Sequence, residues 1–442
     1  MIAKVREGSG ETSPLNTAAA SSPLVNSLYL FEINAVKNFN TRNFPVIIWW
    51  SDLLYPHDEN AKEIRCESGS CISYKKRKYQ DKNITVAYIF YGTDFDGQNL
   101  PLPRKSNHIW ALLHEESPAN NFIFSHPSGI KLFNYSATFS RESDFPLTTQ
   151  FIPSVEYLTN RKLVTIQLKN KLRKEGFAPV LYLQSHCNVA SDRDNYVKRL
   201  MNYIPIDSYG KCLHNKELPP HLTSTDTHND DELFSFISQY KFHIAFENAM
   251  CNDYMTEKLF RSLHVGSVPI YKGSASVKDW LPANKSVIIV DDFNHPSELA
   301  DLVLKLDQND SLYNEFLQFK ETGIENEFLR DHLLKRKWGV NDPDKLDFIR
   351  GFECFICDKI QKPSPVSSIA NPRHMNCPQP HHSIWSEEAI NSDDEWMKEN
   401  WIEDYWFALD QAKAIEMMIH SKESYSSNFM KYLMKIKHHD EL

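Results

Sequence analysis

Residues Lys241–Lys258 read KFHIAFENAMCNDYMTEK. The apolar run Phe242–Phe246 predicts a buried strand, and a helix is expected from about Thr256 to His264. Between them lies a short polar loop. Glu247 and Asn248 then stand at the carboxyl end of the strand, where α/β proteins place their clefts. Backbone N–H groups at the helix start can hold phosphate, Thr256 can cap that start, and Lys258 adds a point charge beside it. A strand–loop–helix whose capping residues do only structural work fits the same mechanics.

Outward from this unit the pattern repeats. Ala178–Gln184 is a buried-strand run, followed by a polar loop and a helix near Asp192–Tyr203 with Arg193 in its first turn. Ser267–Tyr271 and Ser286–Val290 are further strands, and Ser297–Leu306 is helical in period. Upstream, Phe44–Trp50, Thr85–Tyr91, Ile109–Leu113 and Tyr135–Phe139 are short, aromatic and β-branched. The charged stretch Arg161–Lys174 reads as a helical crossover between halves. Continuous apolar strands alternating with helices mean parallel sheets covered on both faces. The expectation is an α/β protein of two Rossmann-like domains facing a cleft: 41–160 and 161–345. A leader or tether (1–40) precedes them, and a Cys/Trp-containing extension (346–442) follows.

The strand Ile109–Leu113 runs into His114-Glu115-Glu116-Ser117-Pro118. Adjacent carboxylates at a strand end suit a general base, because crowding and partial burial raise a carboxylate pKa. Neighbours on an extended chain point to opposite faces, so one of the two faces the cleft. A solvated acidic turn before proline is the plainer reading of the same residues. No G-x-S-x-G, P-loop, G-x-G-x-x-G or H-E-x-x-H is present, which leaves hydrolase and dehydrogenase readings without support.

With 49 basic and 58 acidic residues the net charge is −9, which argues against nucleic-acid binding by bulk electrostatics. Hydrophobic residues make up 41%, ordinary for a folded chain, and no segment is apolar enough to span a bilayer. The polar start, Met1–Ser22, lacks the core of a signal peptide, and alone it would say cytosol. The end says otherwise: His439-Asp440-Glu441-Leu442 is an ER-retrieval address read by a receptor. Sequons at Asn83, Asn134, Asn284 and Asn309 are glycosylation candidates for the same compartment. The expectation is an enzyme of the ER lumen, cycling through the Golgi, whose N-terminal signal or anchor is missing. In that setting Cys66 with Cys71, flanking a Gly/Ser turn, and Cys354 with Cys357, a C-x-x-C, read as local disulfides. Cys187 and Cys212 are further candidates, and Cys251 and Cys377 are left without assigned partners. Cys354, Cys357, His374 and Cys377 also match a zinc site by count and type; the compartment favours disulfides, and no metal is assigned.

The run AFENAMCNDYMTEKLFRSLHVGSVPIYKGS (Ala245–Ser274) resembles the donor-site signature of the alpha-1,3-fucosyltransferases, glycosyltransferase family 10: F-E-N, a loop, Y-x-T-E-K, then G-x-x-P-x-x-x-G. HEESP (114–118), FNYSATFSRESDFP (133–146) and SDRDNYVKRLMNYIPIDSYGKC (191–212) resemble further segments of that family. LPLPR (100–104), DSYGKC (207–212) and FECFIC (352–357) make the likeness greatest to its divergent branch containing vertebrate members ten and eleven. The resemblance implies the GT-B fold and inverting transfer of L-fucose from GDP-β-L-fucose, with no cofactor required. It implies Glu116 as the general base, with Glu115 as fallback. Arg193, Lys258 and the helix start at Thr256 would hold the pyrophosphate, with Glu257 beside the ribose or guanine. Glu247 would lie near the fucose, with Asn248, Tyr254 and Tyr209 completing the donor site. In the ER the acceptor is expected to be Ser or Thr of a protein domain. N-acetylglucosamine in a glycan is the alternative, and a non-catalytic binding protein of the same fold is the alternative of another class.

Overall fold

Eleven strands among the described residues sort into two sheets. The computed structural model describes residues 44–75, 85–160, 164–222, 231–364, 368–375, 377–383 and 394–440. Pro45–Leu442 is one compact unit, which carries both sheets. The first holds β1 (Val46–Trp49), β2 (Ala61–Cys66), β3 (Gly69–Tyr74), β4 (Thr85–Tyr91), β5 (Ile109–His114) and β6 (Tyr135–Thr138), in the order β2-β3-β1-β4-β5-β6. The second holds β7 (Val180–Leu183), β8 (Ile206–Tyr209), β9 (Phe242–Phe246), β10 (Val268–Lys272) and β11 (Ile288–Ile289), in the order β11-β10-β9-β7-β8. All pairs are parallel except the edge hairpin β2–β3. That hairpin was not legible: Ala61–Cys66 reads AKEIRC, half polar and mostly exposed or half-buried, as an edge strand is.

The helices that bear on the site are α1 (Ile166–Lys174), α2 (Arg193–Leu200), α3 (Glu257–Val265), α4 (Pro296–Asp307), α5 (Phe348–Gln361), α6 (Trp401–His420) and α7 (Phe429–Asp440). Val180, Phe242, Ile244 and Ile270 of the second sheet pack on Leu299 and Val303 of α4 in one buried cluster. In the second sheet the strand order reverses between β7 and β9, and a ligand crevice opens at such a switch point. The loops leaving those two strands lead into α2 and α3. Two Rossmann-like sheets in this arrangement make the GT-B fold.

The region 346–442, expected as an extension, is built into the first sheet's layer. Phe352, Ile356 and Cys357 of α5 share a fully buried cluster with Ile47, Trp49, Ile89 and Leu113. Glu353, 1% exposed, accepts from Trp49 Nε1 at 2.7 Å and from Ser73 Oγ at 2.5 Å, and pairs with His57 at 2.8 Å. Among the described residues no helix is long and apolar enough to cross a membrane.

The disulfides correct the local pairing. The bonds run Cys66–Cys354 and Cys71–Cys357, together with Cys187–Cys212 and Cys251–Cys377. No cysteine is free. Cys354 and Cys357 lie three residues apart on α5, where Cβ atoms are about 5–6 Å apart, too far for a bridge that needs about 3.5–4.5 Å. Both instead face the β2–β3 hairpin. Because the two bonds span 288 and 286 residues, they close the same loop almost twice over. Removing one pair (Cys71→Ala with Cys357→Ala) is therefore expected to cost less than about 2 kcal/mol, and removing both roughly 5 kcal/mol, since only the second removal frees the long loop. Urea unfolding of the three variants measures this; additive losses would contradict it.

One further expectation changes. Asn134 is not a free glycosylation acceptor here. Its Oδ1 accepts from Trp110 N and Arg104 Nη2, and its Nδ2 donates to Ser368 O. Asn284 and Asn309 are exposed, and Asn83 lies outside the described residues. Helix α7 reaches Asp440; Glu441 and Leu442 of the retrieval tetrapeptide lie outside the described residues.

Candidate active site

Strand β9 is buried along its whole length and ends at Phe246. Glu247 follows, with no exposed surface, and its carboxylate turns back on the start of α3. Oε1 accepts from Thr256 N and Oε2 from Thr256 Oγ1, both at 2.7 Å. Thr256 caps α3 as the sequence predicts, accepting from Lys258 N. Lys258 Nζ lies 2.8 Å from Thr256 Oγ1, 3.2 Å from Glu257 and 3.5 Å from Glu247. Burial raises the Glu247 pKa, and Lys258 opposes it most. Burial also pushes Glu257 up, but Lys258 and Arg261 overcome that and hold it at about 2. The α3 start is thus a cationic pole with one buried carboxylate bracing it from behind and one ionised carboxylate at its mouth. At the far end Gly266 closes the helix in a left-handed conformation (φ 70°). There the buried Lys169 and Lys320 donate to Gly266 O and His264 O, which leaves the dipole's negative pole compensated. Gly273 lies so close to Glu247 that a Cβ there would sit 2.7 Å from its Cγ, which accounts for the last glycine of the signature.

Glu115 and Glu116 leave the carboxyl end of β5. Burial raises both: Glu115 to about 7, with Glu116 adding to the shift, while Glu116 also feels Glu257 and Lys258 across the cleft. Tyr91 Oη donates to Glu115 Oε1 at 3.2 Å, and Glu115 Oε2 is buried with no hydrogen-bond partner among the described residues. Of the two, Glu116 is therefore the one in electrostatic contact with α3. Tyr254, buried, donates to Asn248 Oδ1 at 3.0 Å. Burial lifts its phenol well above the usual range, and the charges of Glu247, Glu116, Glu257 and Arg193 also act on it. Glu116, Glu247, Asn248, Tyr254, Thr256, Glu257 and Lys258 form one cluster.

Arg193 reaches the same cluster but is 2% exposed, so it is not the open cleft cation expected of a first helical turn. Nη1 donates to Phe246 O and Nη2 to His186 O. Its Nε is buried with no hydrogen-bond partner among the described residues. Glu247 likewise is a brace of the helix start in this structure, not an open contact. Tyr209 does not join the site: its hydroxyl bonds Tyr240 Oη at 2.7 Å, and its ring lies in a separate core with Leu233 and Ile237. The β8 alternation turns Tyr209 away from the cleft.

Other residues at the site were not singled out from sequence. Arg141, next to β6, forms an ion pair with Asp253 (2.7 Å) and another with Asp279 (2.9 Å), joining the two halves. Trp280 Nε1 and Ser276 Oγ add to Asp253, which sits at φ 63°. The left-handed Asp253 was the available signal, since Cys-Asn-Asp-Tyr is a turn composition. The C-terminal residues that reach the loops after β7 and β9 gave no such signal.

A carboxylate at the end of one sheet, set against the cationic helix start of the other, is the arrangement of a GT-B glycosyltransferase. Residues 42–150 match the family model "Fucosyltransferase, N-terminal", and 170–371 match "Glycosyltransferase family 10 (fucosyltransferase) C-term". The chain is 42% identical over 398 residues to GDP-fucose protein O-fucosyltransferase 3 of Gallus gallus, covering 88% of this chain and 82% of that protein. It is 42% identical over 405 residues to the protein of that name in Homo sapiens, covering 89% and 83%. A crystal structure of an alpha1,3-fucosyltransferase with GDP-fucose aligns at TM-score 0.41 and 16% identity over 80% of this chain and 96% of that one. The chain belongs to glycosyltransferase family 10, the fucosyltransferases.

Proposed function

We propose that the protein transfers L-fucose from GDP-β-L-fucose to a Ser or Thr hydroxyl of a polypeptide, with inversion. The observation that carries the chemistry is that the buried Glu116, just beyond the end of β5, feels the charges of Glu257 and Lys258 at the α3 start. In this reading the Glu116 carboxylate takes the acceptor hydroxyl proton, and the freed oxygen bonds to fucose C1. The C1–phosphate bond breaks, and its electron pair leaves with GDP. Negative charge grows on the β-phosphate as that bond lengthens, and the positive end of the α3 dipole together with Lys258 can meet it. Glu257, ionised, is suited to accept from ribose or guanine donors, and Arg193 holds the floor of the donor loop. Attack from the side opposite the leaving group turns a β-linked donor into an α-fucoside.

The polypeptide acceptor is supported by the names of relatives that share 42% identity over four-fifths of their length. An oxidising compartment is supported by the four disulfides. The ER lumen is supported further by His439–Leu442, an address for a retrieval receptor. The test is incubation of the purified protein with GDP-fucose and either disulfide-rich polypeptide domains or glycans ending in N-acetylglucosamine. Mass spectrometry then locates the fucose. Fucose on Ser or Thr is expected; transfer to the glycan alone would overturn the acceptor, and GDP binding without any transfer would leave a binding protein.

A further inference from the structure

Two loops make the donor side: 184–192 after β7, and 247–256 after β9. They are fastened to each other, with Ser191 N donating to Asn248 O at 3.1 Å and Ser191 Oγ to Glu247 O at 2.6 Å. The first loop turns sharply. Asn188 (φ 54°) and Asp192 (φ 50°) are both left-handed, a conformation that Asn and Asp adopt more readily than other side chains and that neighbouring contacts fix in place. Its outer carbonyls are met by the C-terminal region. Trp396 Nε1 donates to Val189 O at 2.9 Å, and Trp401 Nε1 to Asn188 O at 2.8 Å.

The same region grips the residue before Arg193. Ser383 N donates to Asp192 Oδ2 at 2.7 Å. His382, 5% exposed in its side chain, lies 3.4 Å from Asp192 and 3.4 Å from Asp394, and Asn195 Nδ2 bridges the same two carboxylates. Cys377 is bonded to Cys251 in the second loop. Trp401 also faces the other half: its ring meets Phe122, six residues beyond Glu116, at 6.3 Å.

We infer that Trp396 and Trp401 are positioning residues for the donor site. Their indole N–H groups hold loop 184–192 in its left-handed turns, and through it Arg193 and the Glu247 backbone keep the geometry that receives the nucleoside diphosphate. The region beyond α5 is thus part of donor recognition, by way of carbonyls that a phenylalanine cannot reach. This rests on the donor-site reading proposed above and adds residues to it.

The test compares Trp396→Phe/Trp401→Phe, which keeps an aromatic ring at each position and removes both N–H donors, with Ile415→Val. Ile415 is buried in α6, fourteen residues beyond Trp401 and beside Gly97, so it reports general loosening of the same helix. GDP affinity by calorimetry and the KM–kcat split with GDP-fucose are read on the full chain. The double variant is expected to weaken GDP and raise donor KM about tenfold, part of the worth of the two hydrogen bonds removed, since they act on the donor through the loop, while kcat at saturating donor stays within about threefold. Ile415→Val is expected to leave both unchanged. Wild-type donor affinity in the double variant, or an equal loss in Ile415→Val, overturns the inference. If the double variant is not recovered folded, Asp394→Asn, at the half-buried end of the clasp, carries the test: a smaller loss of GDP affinity supports it and none overturns it. Wild-type protein that binds no GDP would refute the donor reading itself, whereas binding that the variants do not alter refutes only this inference.

Discussion

Glu116→Gln is expected to lower kcat for fucosyl transfer by about 10²–10⁴-fold, the usual worth of a general base, and to leave GDP affinity within about twofold. The amide keeps the shape and burial of the side chain but cannot take a proton. Glu115→Gln is the control that separates the two neighbours. Burial already brings Glu115 to about 7, its Oε2 has no hydrogen-bond partner among the described residues, and its other oxygen accepts from Tyr91, a bond an amide oxygen keeps. A loss of less than about tenfold is expected there. The pH profile follows with a definite sign. Burial raises Glu116 above the ordinary 4.5, so the base is protonated, and kcat/KM lost, at a higher pH on acidification than for an exposed glutamate. Glu116→Gln should remove that acid limb from the residual activity; a full limb in the variant, or an inactive Glu115→Gln beside an active Glu116→Gln, moves the base to Glu115.

What the sequence made legible were the local units. Phe242–Phe246 and Thr85–Tyr91 are continuous apolar runs, and the strands fall on those residues. Thr256 caps a helix because a short hydroxyl residue precedes Glu-Lys and an apolar period, and that pattern is local. The parts that were not legible depend on partners far along the chain. Cys66 and Cys354 are 288 residues apart, and nothing in a C-x-x-C says that it lies on a helix facing a hairpin. Asn134 sits in a sequon whose amide is used up by Arg104, Trp110 and Ser368. Tyr209 shows the limit of a motif: its neighbours match, but alternation along β8 sends the ring into a core. Trp396 and Trp401 lie in a tryptophan-rich stretch that reads equally well as packing, and only the two carbonyls opposite their indoles set them apart.

Lys258→Met should cost both stability and catalysis, and the two losses are separable. In the folded protein Lys258 is the cation that most opposes the burial-driven neutralisation of Glu247, and it also holds Glu257 ionised. Its removal leaves a fully buried carboxylate without its ion partner. Breaking such a pair costs about 3–5 kcal/mol, and the lower end is expected because Glu247 keeps both Thr256 donors and can take up a proton. Pairing Lys258→Met with Glu247→Gln removes the stranded charge and should recover most of that stability in urea unfolding. It should not recover transfer. If Lys258 meets the charge growing on the departing diphosphate, kcat stays down by about 10²–10³-fold in the double variant, because the cation is still absent where the charge develops. Recovery of kcat alongside stability would mean that Lys258 serves only to neutralise Glu247, and that the helix start carries the leaving group alone.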